Sequence, residues 1–382
     1  MLLIPIPGMV KMEVSFVTTQ QGMFPHLHGT VAGNSGPLSS PATRITGKLL
    51  ATQGYVVGIE ISGSGSHQSL ALADLQGQIL HKVRLPLDYV PDTQTVLDMI
   101  DSMYNEVITP EKLQEGRILR VGVAVGGLVD ASRGIVRTLH HAHSWNDFPL
   151  QDYLEQKLDI PCIIDNNANA AALAETRAGA LYEEGESPRK TERIVLYVGL
   201  GRGIGGGLVV NGNIYHGATC TAGEIGHMIV KENGPKCSCG GYGHLEAIAS
   251  AQAIARAMIG LSVEYPETEA AIRRVTGSRA ERITVEQVFL LAGEGDKVAQ
   301  RIVNDVHESL AIALANIVHL INPGVIILGG QVAQAGDLLI TPLQARLDDL
   351  CLPASQPVRI IQGTLGSNAN ITGAVMLALQ DI

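Results

Sequence analysis

The chain has 382 residues, of which 46% are hydrophobic and 17% charged, so it is long enough for two or three globular domains and too apolar for general disorder. The 27 Lys and Arg residues are outnumbered by 37 Asp and Glu residues, which gives a net charge of −10 and no basic footprint for nucleic acid. The 43 glycines cluster in short loops, which suggests backbone that approaches a ligand.

Two apolar segments are poor candidates for a signal peptide or a membrane span. Residues 1–7 contain two prolines and no basic residue. Leu310–Ile321 contains Asn316 and His319 and falls short of the roughly 20 residues needed to cross a bilayer. We therefore expect a cytoplasmic protein with no membrane segment.

Composition and periodicity divide the chain into three parts. Residues 1–53 are irregular and are assigned as an N-terminal segment or linker, and the Gly/Ser/Pro-rich run at 26–43 predicts linker or disorder. Beyond them, strands and helices alternate, and the order restarts at Arg193, which predicts two α/β lobes with a cleft between them. We expect the first lobe to span residues 54–176, completed by a C-terminal helix at 368–382, and the second to span residues 177–367.

The predicted elements follow in chain order. The first lobe opens with a β-meander and continues as strand-helix alternation: strands 55–62, 66–74 and 78–87, helix 93–108, strand 120–129, helix 149–158, strand 161–165 and helix 169–180. The second lobe repeats this order: strands 193–201 and 203–212, a hairpin from 213, a helical region from 247 to about 321, strand 325–328, helix 338–347, strand 358–361 and a last helix from about 371.

A metal site is predicted by the spacing H-x9-C-x-C-x4-H, formed by His227, Cys237, Cys239 and His244. Four such ligands suit a closed tetrahedral zinc site, which leaves no open position for catalysis and therefore favours a structural role. The surrounding loop, 227–246, is rich in Gly and fits tightly folded backbone around an ion. The alternative is a surface loop with two free thiols.

A glycine-rich turn lies between two predicted strands, with six glycines in the nine residues 199–207. Backbone N–H groups in such a turn can approach a phosphate, and Gly201, Arg202 and Gly203 are the candidate contacts. The turn lacks the Lys-Ser/Thr ending of a P-loop. A glycine hairpin needed only for tight packing is the alternative.

A polar run, Asp165–Asn169, lies where a buried strand ends and an Ala-rich helix begins. Amides and a carboxylate at the carboxyl end of a strand are well placed to bind sugar hydroxyls. Capping of the helix is the alternative function of these side chains. Glu224 and Glu246 bracket the predicted zinc loop and, together with Asn166 and Asn167, would supply further donors and acceptors for a sugar.

These motifs together resemble the ROK family, named for its repressors, open reading frames and kinases. The resemblance covers about residues 55–382 and is carried by TAGEIGH (221–227), CSCGGYGHLE (237–246) and INPGVIILGG (321–330). It implies a two-lobed actin-like ATPase fold of the ribonuclease H-like class, a hexose or amino sugar in the cleft, structural zinc and a homodimer. Carried over by position, Asn166, Glu224, His227 and Glu246 contact the sugar, and His244 replaces the third Cys of the family's zinc site.

The chain differs from the family's kinases at the residue that acts as the catalytic base. Those kinases read approximately E-N-D-A-N, and their Asp accepts the proton of the attacking sugar hydroxyl, whereas this chain has Asn167 at that position. A carboxamide does not accept that proton at neutral pH. Asp165, two residues earlier, is a weak candidate for a displaced base, which we place on the same strand face by parity.

The nucleotide side departs as well. The family's D-I-G-G-T-K reads Glu60, Ile61 and then Ser62, Gly63, Ser64 and Gly65 here, and Arg202 replaces a Thr in the glycine turn. We therefore predict a sugar sensor of the repressor branch that does not catalyse phosphorylation. The alternatives are an ATP- and Mg²⁺-dependent sugar kinase and a zinc-stabilised assembly protein.

Family repressors carry a helix-turn-helix ahead of this scaffold, and residues 1–53 show no such motif. We therefore expect no DNA binding by this chain and a small-molecule sugar as its ligand. The predicted contacts would serve glucose, xylose or an N-acetylhexosamine alike.

Overall fold

The computed structural model of the protein describes residues 54–63, 67–87, 89, 91–113, 116–139, 142–183, 193–277, 280–355 and 358–382. The linker assigned to 1–53 and Ser64 of the predicted phosphate loop lie outside the described residues. Twelve strands are found within these ranges: β1 Gly54–Ile61, β2 His67–Asp74, β3 Ile79–Pro86, β4 Arg117–Val125, β5 Leu128–Asp130, β6 Ile135–Thr138, β7 Cys162–Asn166, β8 Ile194–Leu200, β9 Ile204–Val210, β10 Asn213–Ile214, β11 Val325–Gly329 and β12 Arg359–Gln362.

The α-helices in the same ranges differ widely in length, from one turn to seven: α1 Thr93–Val107, α2 Pro110–Leu113, α3 Leu150–Leu158, α4 Asn167–Arg177, α5 Ala180–Glu183, α6 Glu246–Ala249, α7 Ala251–Ser262, α8 Pro266–Thr276, α9 Val285–Gly293, α10 Lys297–Ile321, α11 Asp337–Leu350 and α12 Ala369–Ala378. Short 3₁₀ turns connect several of these elements, among them Ile225–His227.

Two five-stranded sheets share one topology. The first has the order β3-β2-β1-β4-β7 and the second the order β10-β9-β8-β11-β12. In each sheet, the first three strands of the chain pair antiparallel. The fourth strand pairs parallel with the first, which lies in the middle of the sheet, and the fifth pairs parallel with the fourth. Because the carboxyl ends of the parallel strands meet at one edge of each sheet, the loops that follow them form the natural ligand-binding positions.

In the first sheet, the pattern of buried and exposed side chains follows the position of each strand. Every residue of β1 is buried, as expected for a central strand covered on both faces. The edge strand β3 alternates between half-buried and exposed side chains over much of its length. Helix α1 begins at the N-cap Asp92, whose carboxylate accepts a hydrogen bond from the Thr95 N–H group at 2.8 Å, and buries one apolar face against this sheet.

The second sheet packs against a helical layer centred on α10, which has 25 residues. Asp296 caps its start and Asn322 ends it in the left-handed conformation, with φ of 52°. The region predicted as helical from 247 to about 321 contains five helices in its described residues, α6 to α10. Pro266 begins α8, and Gly277 closes it with φ of 65°.

The C-terminal helix α12 returns to the first sheet, where it packs on β1, β4 and α4. The backbones approach closely at this contact. A Cβ at Gly122 of β4 would lie 2.0 Å from the carbonyl oxygen of Ala374, and a Cβ at Gly373 would lie 2.3 Å from that of Ala170. Glycine is therefore required at these two positions by the distance between α12 and its neighbours.

We expect Gly122→Ala to destabilise the protein by about 1–3 kcal/mol or more, because the added methyl group forces α12 away from β4. Gly260→Ala is the matched control, since a Cβ at this exposed position in α7 meets nothing within 4 Å. That control should stabilise the protein by about 0.5–1 kcal/mol through helix propensity. Urea unfolding followed by circular dichroism measures both changes, and equal midpoints for the two variants would contradict the packing argument.

Candidate functional site

Strand β9 brings the predicted site residues together because its glycines allow close approach on both faces. A Cβ at Gly207 would lie 2.4 Å from the carbonyl oxygen of Ala168, the second residue of α4. On the opposite face, a Cβ at Gly206 would lie 2.7 Å from the carbonyl oxygen of Gly223, next to Glu224. The strand therefore holds the start of α4 and the Glu224 loop against the same backbone. Gly205, Gly206 and Gly207 lie within strand β9, in agreement with the predicted strand 203–212.

Asp165 lies at the carboxyl end of β7 and is 3% exposed. Its Oδ1 accepts hydrogen bonds from the Asn166 backbone N–H group at 2.7 Å and from the Asn169 side-chain amide at 2.9 Å. Its Oδ2 lies 2.6 Å from Nε2 of His216, a residue of the loop that follows β10. Both oxygens of the Asp165 carboxylate are therefore engaged by the protein itself.

Asn166 is the N-cap of α4. Its side-chain oxygen accepts a hydrogen bond from the Ala168 N–H group at 2.7 Å, and its amide donates to the Gly127 carbonyl oxygen at 2.8 Å. The Asn166 side chain therefore caps the helix, which is the alternative function predicted for this polar run. The second contact ties the site to the turn before β5.

Asn167 is half-buried and is the first residue of α4, so it does not continue the strand that carries Asp165. The expectation that these two side chains share a strand face by parity is wrong, because the chain turns into the helix between them. No hydrogen bond within the described part of the chain involves the Asn167 side chain. Its amide is available to a ligand at the start of α4.

Glu246 begins α6 and connects the glycine turn to the Cys/His loop, residues 227–246. Its Oε2 accepts a hydrogen bond from the Ile204 N–H group at 2.9 Å, and its Oε1 accepts one from the Ser238 hydroxyl at 3.2 Å. Glu224 is more open, with a side chain that is 42% exposed. The two carboxylates therefore border the start of β9 from different loops.

The four predicted metal ligands lie together. One ligand atom from each of His227, Cys237, Cys239 and His244 lies within 4.8 Å of all the others. His227 Nδ1 is 3.9 Å from Cys237 Sγ, and His244 Nδ1 is 3.2 Å from Cys239 Sγ. Ligand atoms at the corners of a tetrahedral zinc site lie about 3.3–3.8 Å apart, so the cluster fits a zinc ion with small adjustments.

The Cys/His loop is folded by its own backbone. The Cys237 N–H group donates to the Gly241 carbonyl oxygen at 2.8 Å, and the Leu245 N–H group donates to the Met228 carbonyl oxygen at 2.9 Å. Nε2 of His227 faces away from the cluster and lies 3.8 Å from Glu224 Oε2. This distance exceeds that of a hydrogen bond, so the Glu224 carboxylate lies near the imidazole ring without bonding to it.

The two turns predicted to bind phosphate, at 62–63 and 201–203, make hydrogen bonds or close contacts within the protein. The Ser62 N–H group donates to the Gln68 side-chain oxygen at 3.0 Å, and a Cβ at Gly63 would lie 1.6 Å from the Gly126 carbonyl oxygen. In the glycine turn, the Gly201 N–H group donates to the Gly203 carbonyl oxygen at 3.0 Å. The Arg202 side chain between them is exposed.

Glu60 takes the position of the Asp in the D-I-G-G-T-K motif of the kinases and is 3% exposed. Its Oε1 lies 3.1 Å from His67 Nε2 and accepts a hydrogen bond from the Asn370 amide at 3.0 Å. Burial opposes ionisation of this carboxyl group, but its contacts with His67 and Asn370 outweigh burial and lower the pKa of Glu60. The carboxylate is therefore charged and engaged by two side chains of the protein.

The repeated sheet topology and the alternation of strands and helices define an α/β protein. The chain belongs to the ROK family, whose sequence model matches residues 56–381. No described helix is both long and apolar enough to span a membrane.

Relatives of two kinds resemble the chain. It is 31% identical to a glucokinase of Halalkalibacterium halodurans over 85% of this chain and 95% of that protein. It is 28% identical to a putative xylose repressor of a Caldicellulosiruptor species over 86% of this chain and 79% of that protein. Among solved structures, a ROK family glucokinase from Streptomyces griseus in complex with glucose and AMPPNP matches with a TM-score of 0.70 and 27% identity, covering 85% of this chain and 99% of that one.

His216 and the two partners of Glu60 were not predicted from the sequence. His216 is 51 residues from Asp165, and Asn370 is 310 residues from Glu60. No local spacing motif joins either pair. The sequence does give one indication that His216 belongs to the site, because His216 lies in the same loop as the TAGEIGH motif.

The hydrogen bond to Asp165 outweighs partial burial and raises the pKa of His216 above its ordinary 6.5. Protonated His216 therefore contributes stability that is full below pH 6.5 and is lost as the pH rises through the raised pKa. We expect the NMR titration midpoint of His216 to lie above 6.5 and to fall in Asp165→Asn.

Asp152→Asn, a carboxylate on α3 outside this network, is the control and should leave the His216 midpoint unchanged. A midpoint at or below 6.5 in the unmodified protein would show that the Asp165–His216 pair does not form in solution.

Proposed function

We propose that the chain is a sugar-binding regulator of the ROK family that holds its sugar without phosphorylating it. The proposal rests on the two residues at or next to the position of the catalytic Asp in the family's kinases, Asn167 and Asp165. Asn167 supplies a carboxamide, and the Asp165 carboxylate next to it is engaged by three protein groups. A general base must accept a proton from the attacking hydroxyl, and neither side chain is arranged to do so.

The sugar itself would be held by groups that hydrogen-bond without removing a proton. In this proposal Asn167 and Glu224 contact hydroxyl groups directly, and Asn166, His227 and Glu246 complete the set. The proposal is supported by the convergence of α4 and the Glu224 loop on strand β9. It is also supported by the relatives, which include both a glucokinase and a xylose repressor.

Nucleotide binding would be weak in this account. Ser62, Gly201 and Gly203 use backbone groups in hydrogen bonds within the protein, and Gly63 packs closely against Gly126. Glu60 is engaged by His67 and Asn370. ATP and Mg²⁺ would then play no part in the function. The two lobes with boundaries at 54–176 and 177–367, and a homodimeric assembly, belong to the same proposal.

One observation favours a sugar kinase as the second candidate. Asp165 and His216 form a carboxylate-imidazole pair next to Asn166, and such a pair orients an imidazole for proton transfer in other enzymes. The glucokinase relative is consistent with this candidate. In a kinase of this kind, His216 would replace the missing Asp as the base and ATP with Mg²⁺ would be the phosphoryl donor.

We further propose that His227, Cys237, Cys239 and His244 bind one structural zinc ion. When bound, the ion would hold the Cys/His loop closed and leave no open coordination position. The loop would in turn fix Glu246 through the Ser238 hydroxyl.

Elemental analysis of the purified protein should give one zinc per chain. Cys239→Ala should release the metal and weaken sugar binding, because the loop that holds Glu246 then loosens. Cys351→Ala removes a thiol outside the cluster and should retain the metal. A metal-free protein with full sugar affinity would rule out the structural role.

Calorimetry with glucose, xylose and N-acetylglucosamine should show binding of at least one of these sugars to the unmodified protein. Glu224→Ala should weaken that binding by about tenfold to a hundredfold, because a charged acceptor of a buried ligand is lost. Glu232→Ala, an exposed carboxylate of the Cys/His loop, is the matched control and should bind as the unmodified protein does.

A coupled assay of ADP release separates the two candidate functions. The regulator should release no ADP in response to sugar, and Asn167→Asp alone should not restore activity because the phosphate side is closed. Sugar-dependent ADP release by the unmodified protein that disappears in His216→Gln would instead establish the kinase.

A further inference from the structure

Two of the four predicted metal ligands are thiols separated by one residue, Cys237 and Cys239. Neither thiol is part of a disulfide, and their Sγ atoms lie within 4.8 Å of each other. A disulfide brings two sulfur atoms to about 2.05 Å, so the pair needs to move by only a few ångströms to form one. The two thiols therefore lie close to the geometry of a disulfide.

The backbone between the two cysteines is already bent. The Gly240 N–H group donates to the Cys237 carbonyl oxygen at 3.0 Å, which closes a four-residue turn over 237–240. The Cys237 N–H group donates to the Gly241 carbonyl oxygen at 2.8 Å, so hydrogen bonds hold the turn in place. A turn of this kind keeps its first and third residues near the Cα separation of about 4.4–6.8 Å that a disulfide requires.

The two thiols differ in their access to solvent. Cys239 is exposed, whereas Cys237 is only 4% exposed. An oxidant in solution therefore reaches Cys239 first, and the buried Cys237 sulfur lies beside the oxidised product. An accessible thiol next to a second thiol that can react with its oxidised form is the arrangement found in reversible redox sensors.

The turn between the thiols also contacts Glu246, one of the proposed sugar ligands. The Ser238 hydroxyl donates to Glu246 Oε1 at 3.2 Å, and Cys237 Sγ lies 3.8 Å from the same oxygen. The other oxygen of Glu246 accepts a hydrogen bond at 2.9 Å from the Ile204 N–H group, at the start of β9. A rearrangement of the turn is therefore transmitted through one carboxylate to the strand on which the proposed sugar site converges.

We propose that Cys237 and Cys239 form a reversible disulfide in response to hydroperoxides, and that this disulfide weakens sugar binding. The proposal rests on the proposed function, because it describes how the sugar site is regulated. The disulfide and the proposed zinc site exclude each other, since both use the same two sulfur atoms. The reduced chain therefore keeps all four ligands, whereas the oxidised chain keeps only His227 and His244.

The oxidation takes place in two balanced steps. The Cys239 sulfur attacks one oxygen of the hydroperoxide, the O–O bond breaks, and the products are a Cys239 sulfenic acid and an alcohol, or water when the oxidant is hydrogen peroxide. The Cys237 sulfur then attacks the sulfenic sulfur, which forms the S–S bond and releases water. The peroxide accepts the two electrons that the thiols lose, and the two thiol protons leave in the alcohol and the water. A dithiol reductant regenerates both thiols by exchange.

Alkylation of the full chain tests formation of the disulfide. Trypsin cleaves after Lys236 and Arg256, so both thiols lie in one peptide, 237–256. Iodoacetamide added with denaturant should label this peptide twice before hydrogen peroxide treatment, not at all after it, and twice again once dithiothreitol has reduced the protein. A peptide that is still labelled after the peroxide, a disulfide that joins two chains, or oxidation that dithiothreitol does not reverse would overturn the proposal.

Two variants control the alkylation experiment. Cys239→Ser should leave Cys237 open to the label after peroxide treatment, because the sulfur that would bond to it is gone. Cys220→Ser removes a half-buried thiol outside the cluster and should form the disulfide as the unmodified protein does. Should Cys239→Ser fail to fold, the cycle of peroxide and dithiothreitol on the unmodified protein decides the question by itself.

Calorimetry with the sugar that binds most tightly tests the effect on the sugar site. The oxidised protein should bind that sugar about tenfold more weakly or less, because the rearranged turn withdraws Ser238 from Glu246. Dithiothreitol should restore the affinity, and Cys239→Ser should show no response to peroxide. Equal affinities of the oxidised and reduced forms would overturn the regulatory role.

These measurements keep the proposal separate from the proposed function. Absence of sugar binding by the reduced protein would be a failure of the proposed function, and absence of zinc a failure of the metal proposal, while alkylation would still report the disulfide. Hydrogen exchange at the Ile204 amide would then report the coupling through Glu246. That exchange should be faster in the oxidised protein, and equal rates in the two forms would overturn the coupling.

Discussion

The close approach of helix α4 to strand β9 is the constraint on which the site depends. A carbonyl oxygen of α4 occupies the space that a side chain at Gly207 would need, so the helix start and the strand are in backbone contact. Asn166 and Asn167 stand at that helix start, and the opposite face of the same strand holds the Glu224 loop. Any side chain on β9 at these positions would push the start of α4 and the Glu224 loop apart. The glycines therefore allow the residues of the proposed sugar site to converge.

The same constraint explains why the neighbouring polar groups are satisfied internally. A carboxylate as buried as Asp165 must be hydrogen-bonded, and the start of α4 supplies two donors while the loop after β10 supplies His216. Glu60 follows the same rule on the first sheet, through His67 and Asn370. Both carboxylates thus contribute to the folded structure, whereas the side chains of Asn167 and Glu224 are more exposed. A scaffold of this kind can retain a sugar while lacking a carboxylate at the position of the catalytic Asp of the family's kinases.

Much of the fold could be predicted from the sequence, because its signals are local. The buried run of β1 and the apolar face of α1 follow from hydrophobic periodicity, and the family resemblance expected from TAGEIGH and CSCGGYGHLE is confirmed by the family match. The Cys/His cluster was visible as a spacing, and its four ligand atoms do converge. The region from 247 to 321 was predicted as helical without the bounds of its individual helices, which the structure supplies.

The rest depended on tertiary contacts that carry no spacing signal. His216 meets Asp165 across 51 residues, and Asn370 meets Glu60 across 310 residues. The parity argument for Asp165 and Asn167 failed for a specific reason: Asn166 caps a helix, so the strand rule stops between them. Pairs of this sort are fixed by how the sheets and helices pack, which a single sequence does not reveal.

The central claim, that the protein holds a bound sugar without phosphorylating it, is tested most directly by a single-turnover experiment. Stoichiometric protein would be incubated for hours with ATP, Mg²⁺ and the sugar that binds most tightly, and ³¹P NMR would follow the phosphorus. Our account predicts that the ATP resonances persist and that no sugar phosphate forms. Formation of one equivalent of sugar phosphate per chain would contradict it.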